Sequence, residues 1–176
     1  IVINGEDFDN AQRLGFKTGE NLFHVHGVGV DLSEYANPPI SGNNIRASLQ
    51  IGSEDVIVTC IGELNGNKNQ DFLLDAWREL AGRYGYVHLL FVGTGEKMEA
   101  LQKRIVKEQI KRVYFLGYRS DVPQILKESD IATLVSKREG LPRCIMEAMA
   151  AGKPVVASNV RGNRDLVEHG RTGFLV

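Results

Sequence analysis

The chain has 176 residues, 43% hydrophobic and 24% charged, the proportions of a soluble globular protein of about one domain. Its formal net charge of -1 gives no electrostatic case for nucleic acid or an acidic membrane surface as partner. No apolar run approaches the ~20 residues of a membrane span, and no basic-then-apolar leader opens the chain.

Residues 1–4 are a short apolar stub, and Glu6-Asp7-Phe8 opens a helical stretch. Leu22 to Val30 reads as a strand running into a Gly-rich bend, Gly27-Val28-Gly29-Val30-Asp31, and the Pro/Gly/Asn-rich residues 36–44 read as a loop. From residue 56 apolar runs alternate with helical patterns: strand 56–61, amphipathic helix 69–80, strand 87–92, helix 96–109 and strand 113–116. A short helix at 121–128, strand 131–135, helix 142–151, strand 154–157, a helical turn at 163–168 and an apolar end at 173–176 follow. Pro142 suits the first helical position, where its missing N–H costs nothing. Continuous apolar strands alternating with helices imply an α/β fold, a doubly wound parallel sheet covered on both faces. Ligands then bind outside the carboxyl ends of the strands, in the loops 62–68, 93–95, 117–121, 136–141 and 158–162.

The cysteines, Cys60 and Cys144, lie in apolar stretches without CxxC spacing and read as buried thiols of a reducing cytoplasm. His24, His26, His88 and His169 form no ligand set, and His24 and His26, two apart, read as local packing. Gly93-Thr94-Gly95 lacks the third glycine of a nicotinamide fingerprint.

The most informative stretch is Glu139-Gly140-Leu141-Pro142-Arg143-Cys144-Ile145-Met146-Glu147. It sets one carboxylate in a turn after a strand and a second about two turns into the following helix. A helix N-terminus there offers backbone N–H groups to a phosphate, and carboxylates accept hydrogen bonds from hydroxyls. The combination suits a phosphorylated, polyhydroxylated ligand such as a sugar nucleotide; taken alone, two glutamates at this spacing are as readily a solvated helix face. Lys68, between a strand end and a helix start, is either a solvated lysine or a cation for a diphosphate.

Residues 139–163, EGLPRCIMEAMAAGKPVVASNVRGN, closely resemble the signature of retaining GT-B glycosyltransferases of family four (group 1). The resemblance runs from about Gly27 to Val176, and VHGVGVDL, GELNGNKNQ and VRGNRDLV are similar to bacterial capsular and surface-polysaccharide members. It implies the Rossmann-like, C-terminal donor-binding half of a GT-B enzyme, with 1–30 as remnant of a preceding domain and linker, and 31–176 as the nucleotide-sugar domain lacking its C-terminal helices. By the same resemblance Lys68 holds the donor diphosphate with the N–H groups of Gly140 and Leu141, Glu147 accepts from the ribose, and Glu139 lies at the donor sugar. Gly117-Tyr118-Arg119-Ser120-Asp121 matches the loop at the base, with Tyr118 or Arg119 nearby; a helix cap by Ser120 or Asp121 accounts for it equally well. Many members carry arginine where this chain has Glu63. Arg143 is then either a substitute cation or an ion-pair partner of Glu139 or Glu147.

The implied reaction moves a sugar from a UDP- or GDP-sugar to an acceptor hydroxyl with retention, in polysaccharide or glycolipid biosynthesis. The acceptor, lipid-linked or saccharide, belongs to the other domain. No metal or other cofactor is expected, since no DxD-type cluster occurs. The expected location is cytoplasmic, with peripheral attachment at the inner membrane face. Rival readings are a nucleotide-binding module inactive on its own, a GT-B sugar-nucleotide epimerase, a phosphorylase, for which nothing marks a pyridoxal-phosphate lysine, and a flavodoxin-like non-enzymatic domain.

Overall fold

A computed structural model describes residues 1–38 and 44–176; the central part of the expected 36–44 loop therefore lies outside the described residues. Six strands form one parallel sheet: β1 (Val56–Ile61), β2 (Val87–Val92), β3 (Val113–Gly117), β4 (Ile131–Leu134), β5 (Val155–Ala157) and β6 (Gly173–Leu175). Their order is β3-β2-β1-β4-β5-β6, so the chain winds outward from β1 in one direction, returns, and winds outward in the other. The helices are α1 (Gly5–Arg13), α2 (Leu32–Ala36), α3 (Ile45–Ser48), α4 (Gln70–Arg83), α5 (Met98–Lys107), α6 (Val122–Glu128), α7 (Arg143–Ala150) and α8 (Asn163–Leu166).

The apolar runs are continuous because both faces of the sheet are covered. Val58, Cys60, Leu89 and Phe91 turn to one face, where Leu73, Leu74 and Trp77 of α4 and Leu101 of α5 pack on them. Ile57, Leu90 and Val92, one residue out of phase, meet Ile45 of α3 and Ile125 of α6 on the other. Beyond β1, Leu134, Val155 and Ala157 join Ile145 and Ala148 of α7.

The expected strand at 22–30 does not form. Among the described residues only isolated bridges pair it, Val2 with His24 and Thr18 with Leu22, and the chain then turns at Gly27 (φ 72) and Gly29 (φ 69), left-handed conformations that break a ladder. His24 sits between Phe8 and His26, the rings tilted to one another with centroids 5.4 and 5.2 Å away. The α7 helix starts one residue later than expected. Pro142 is its N-cap, at φ -73 and ψ 116, instead of its first helical residue. This extended conformation is open to proline, whose ring fixes φ alone. Strand β6 adds an edge to the sheet through Val155–Gly173 to Ala157–Leu175 pairing.

Candidate functional site

The sheet order reverses between β1 and β4, which run side by side in the register Val58–Ile131 and Thr59–Ala132. Where neighbouring strands lead off in opposite directions, their carboxyl-end loops part and leave a crevice. The loop after β1 carries Lys68, and the loop after β4 carries Glu139. Their charged groups meet across the crevice, Lys68 Nζ donating to Glu139 Oε1 at 2.6 Å. Both side chains are largely withdrawn from solvent, 19% and 10% exposed.

Local sequence explains this meeting. Asn65 Oδ1 accepts from the backbone N–H of Asn67 (3.0 Å) and Lys68 (2.9 Å), folding the loop back on itself. Gln70 Nε2 pins the loop from below through the Glu63 carbonyl at 2.9 Å. Asn67 then ties it to the loop after β4: its side chain donates to the Arg138 carbonyl (2.9 Å) and its own carbonyl accepts from the Lys137 N–H (2.8 Å). Asn69 completes the turn in the left-handed region, at φ 58, and opens α4.

On the far side, Gly162 approaches Gly140 so closely that a Cβ on it would lie 2.2 Å from the Gly140 carbonyl oxygen. Gly162 also has φ 79. We expect Gly162→Ala to cost about 2–4 kcal/mol, from left-handed strain and the backbone clash together. A urea unfolding curve measures it; a change under 0.5 kcal/mol would mean that the two loops are not in contact.

Among the described residues no side chain caps α7. Its first-turn N–H groups therefore lack a side-chain partner beside the Lys68–Glu139 pair, the situation that favours an anion. Glu147, one turn further, is 8% exposed. Arg143 Nε donates to its Oε1 at 2.9 Å while the arginine side chain stays 63% exposed. Of the readings left open for Arg143, the ion pair with Glu147 is the one formed.

The third group of residues surrounds a cleft of about 470 Å³ at the carboxyl ends of β1, β2 and β3, lined by Gly62, Glu63, Gly93, Gly95, Tyr118 and Arg119 among others. Lys68 borders it: the lysine stem runs over Gly62, its Cε 3.5 Å from where a Gly62 Cβ would stand. Gly93 and Gly95 make room for the β1 loop, since side chains there would strike the backbone of Gly62 and Leu64. Tyr118 is 81% exposed at the rim. Arg119 Nε donates to Asp121 Oδ1 at 2.7 Å, which keeps the arginine charged and holds the Asp121 carboxyl below the usual range. Asp121 occupies the N-cap position of α6, yet its side chain makes no cap bond because it faces Arg119. Glu63 is exposed and accepts from Asn65 Nδ2 at 2.9 Å, away from Lys68.

The structure thus gathers Lys68, Glu139, Gly140, Leu141, Arg143 and Glu147 around the β1–β4 crevice and sets Tyr118 and Arg119 on the adjoining cleft. Sequence reasoning missed Tyr35 of α2, a buried side chain whose phenol is pushed up to about 12 by burial and by the Glu147 charge. No local signal marks it, since α2 has only five residues. Asn67, which joins the two loops, was also missed.

Cys60 and Cys144 are free, and burial pushes both thiols up to about 12. Above pH ~8.5 the unfolded thiols ionise while the folded ones stay protonated, so the folded state holds more protons and stability falls as pH rises towards 12. We expect the urea midpoint to drop between pH 8 and pH 10.5, and the drop to shrink in Cys60→Ala. Among the described residues no group of three or more His, Cys, Asp or Glu side chains could hold a metal ion, and no helix is long and apolar enough to cross a membrane.

Comparison with known proteins agrees with this geometry. The profile of the family "Glycosyl transferases group 1" matches residues 55–176. The putative glycosyltransferase EpsD of Bacillus subtilis is 32% identical over all of this chain, which covers 46% of EpsD. The Escherichia coli UDP-Gal:alpha-D-GlcNAc-diphosphoundecaprenol alpha-1,3-galactosyltransferase is 34% identical over 84% of this chain and 39% of its own length. The chain therefore spans less than half of these curated relatives. Among solved structures, Anabaena Alr3699/HepE in complex with UDP and glucose superposes with a TM-score of 0.82 at 30% identity, over 99% of this chain and 48% of that one. Its complex with UDP-glucose gives 0.82 at 31%. With a Rossmann-like sheet of the GT-B type and a family profile that covers most of its length, the chain belongs to the group 1 glycosyl transferases.

Proposed function

We propose that the chain is the donor-binding half of a retaining glycosyltransferase that uses a nucleoside-diphosphate sugar. The observation that carries this reading is the meeting of Lys68 and Glu139 beside the uncapped start of α7, with buried Glu147 one turn beyond. Lys68 and the N–H groups of Gly140 and Leu141 hold the diphosphate, which needs positive charge and donors at close range. Glu147 accepts from the ribose hydroxyls. The base lies in the cleft by Tyr118 and Arg119, the sugar beside Glu139. Arg143 serves by holding Glu147, and the diphosphate is bound without a metal.

In the transfer, the bond from the anomeric carbon to the diphosphate oxygen breaks as a bond to the acceptor oxygen forms on the same face. The acceptor proton passes to the departing diphosphate, and the Glu139 carboxylate stabilises the positive charge developing on the sugar ring. The complexes of Anabaena HepE with UDP and UDP-glucose support UDP as nucleotide over GDP. The Escherichia coli relative, named for a diphosphoundecaprenol acceptor, supports a lipid-linked one. Such an acceptor would bring the full-length protein to the cytoplasmic face of the membrane and would be bound by the domain that precedes this one. A two-domain cleft is what excludes water and orients the acceptor, so this half alone binds donor without transferring sugar.

The test is transfer by the full-length protein from a UDP-sugar to a lipid-diphosphate saccharide, with the new linkage read by NMR. An α-linked product from an α-configured donor is the expected result; an inverted product would refute retention.

A further inference from the structure

Glu63 is the residue of the β1 loop that the donor reading leaves without a task. It lines the cleft, where its charge repels a diphosphate. Its backbone is held from several sides. The Gly62 N–H donates to the Val92 carbonyl and the Leu64 N–H to that of Thr94, both at 2.9 Å. The Glu63 carbonyl accepts from Gln70 Nε2 at 2.9 Å, and the Leu64 side chain is buried. The crest of the loop beyond is exposed at Gly66 and Asn67. Its fold rests on the Asn65 side chain, whose Oδ1 accepts from the N–H groups of Asn67 (3.0 Å) and Lys68 (2.9 Å). Asn65 makes those two bonds only with its amide turned one way, and Glu63 decides the turn. A carboxylate accepts and cannot donate, so Glu63 Oε2 draws Asn65 Nδ2 (2.9 Å) and leaves Oδ1 for the loop. An amide facing the other way would set its oxygen against the carboxylate and its own donors against two N–H groups.

We propose that Glu63 is a positioning residue of the donor site: by orienting the Asn65 amide it fixes the backbone at Lys68, and so the amine that meets the diphosphate. This rests on the reading of Lys68 as the diphosphate cation. The route is short and continuous. Lys68 is one of the two donors on Asn65 Oδ1, and its stem runs over Gly62. Asn67, the other donor, ties the same crest to the Glu139 loop through the Arg138 carbonyl at 2.9 Å. Without the carboxylate Asn65 is free to turn its amide to water, the crest loosens, and the diphosphate must order the lysine as it binds. Glu63 therefore acts on the ligand in two opposed ways, repelling phosphate by its charge and presenting Lys68 by its hydrogen bond. Glutamine separates the two, since it keeps an acceptor for Asn65 and carries no charge.

The experiment is titration of the whole chain with UDP and with uridine, followed by NMR so that weak uridine binding is also read. Wild type, Lys68→Ala, Glu63→Gln and Glu63→Ala are compared, the last two also in an Asn65→Ala background. Glu63→Gln should bind UDP at least as tightly as wild type, because a repelling charge is gone. Glu63→Ala should bind UDP about three- to tenfold more weakly than Glu63→Gln, with uridine affinity equal in the two. In the Asn65→Ala background that difference should vanish, the mark of an effect that passes through Asn65. Equal UDP affinity of Glu63→Gln and Glu63→Ala, while Lys68→Ala binds UDP weakly, overturns the proposal and spares the reading of Lys68. A difference that uridine shares, or that survives in the Asn65→Ala background, overturns it too, by assigning Glu63 to the fold or to the ligand directly. UDP affinity unchanged in Lys68→Ala removes the reading of Lys68 and the proposal with it.

Discussion

Glu139→Gln is expected to move binding and catalysis in opposite directions. In the free chain Glu139 already occupies Lys68, at 2.6 Å and with both side chains mostly withdrawn from water. An arriving diphosphate must compete with that carboxylate for the lysine and also meets its negative charge. Neutralising Glu139 removes the competitor, so UDP should bind about three- to tenfold more tightly, the net size of one ordinary hydrogen bond after solvent exchange. The unliganded variant should lose about 1–3 kcal/mol of stability, because Lys68 is left part-buried without its counter-charge. UDP should consequently raise the melting temperature of the variant more than that of wild type. Transfer by the full-length protein should fall at least ~100-fold, since the carboxylate beside the developing charge is lost. Calorimetry, thermal unfolding and the transfer assay read the three effects separately. Weaker UDP binding by Glu139→Gln would mean that Glu139 supports the nucleotide instead of competing with it.

Lys68→Ala should have the largest effect on binding, a loss of about 100-fold in UDP affinity, or ~2.7 kcal/mol. Two terms combine: the diphosphate loses its nearest cation, and Glu139, no longer neutralised, repels it at short range. Because the second term vanishes with the carboxylate, Glu139→Gln should tighten UDP binding by a larger factor in the Lys68→Ala background than the factor it gives alone. That non-additivity is the signature of a direct pair. Purely additive effects would show that the two residues act on the ligand independently.

Much of this arrangement could be read from the residues, and the exceptions have physical reasons. The strands at 56–61 and 87–92 stood out because sheet faces covered by helices on both sides demand unbroken apolar runs, and the structure returns those spans as β1 and β2. From their alternation with helices the parallel sheet and its ligand-binding edge follow. The segment 22–30 misled because His24, Val25 and Val28 have strand composition, while the glycines at 27 and 29 and the lack of a neighbouring strand decide the outcome. Helices α2 and α3, of five and four residues, are too short for periodicity to register. For the site, the glutamate motif was legible because its spacing is local, along one turn and one helix. The pairing of Lys68 with Glu139, 71 residues apart in sequence, depends on the order of the strands. Asn67 is further from view still, since it acts across the fold on a partner that the local pattern does not mention.

The most direct measurement is a calorimetric titration of the 176-residue chain with UDP, GDP and ADP, repeated on Lys68→Ala. Saturable one-site binding of UDP, tighter than either purine nucleotide and lost on removing the Lys68 amine, is the expected result. Binding of UDP that survives Lys68→Ala unchanged, or no binding of any of the three, would contradict a donor site at the β1–β4 crevice.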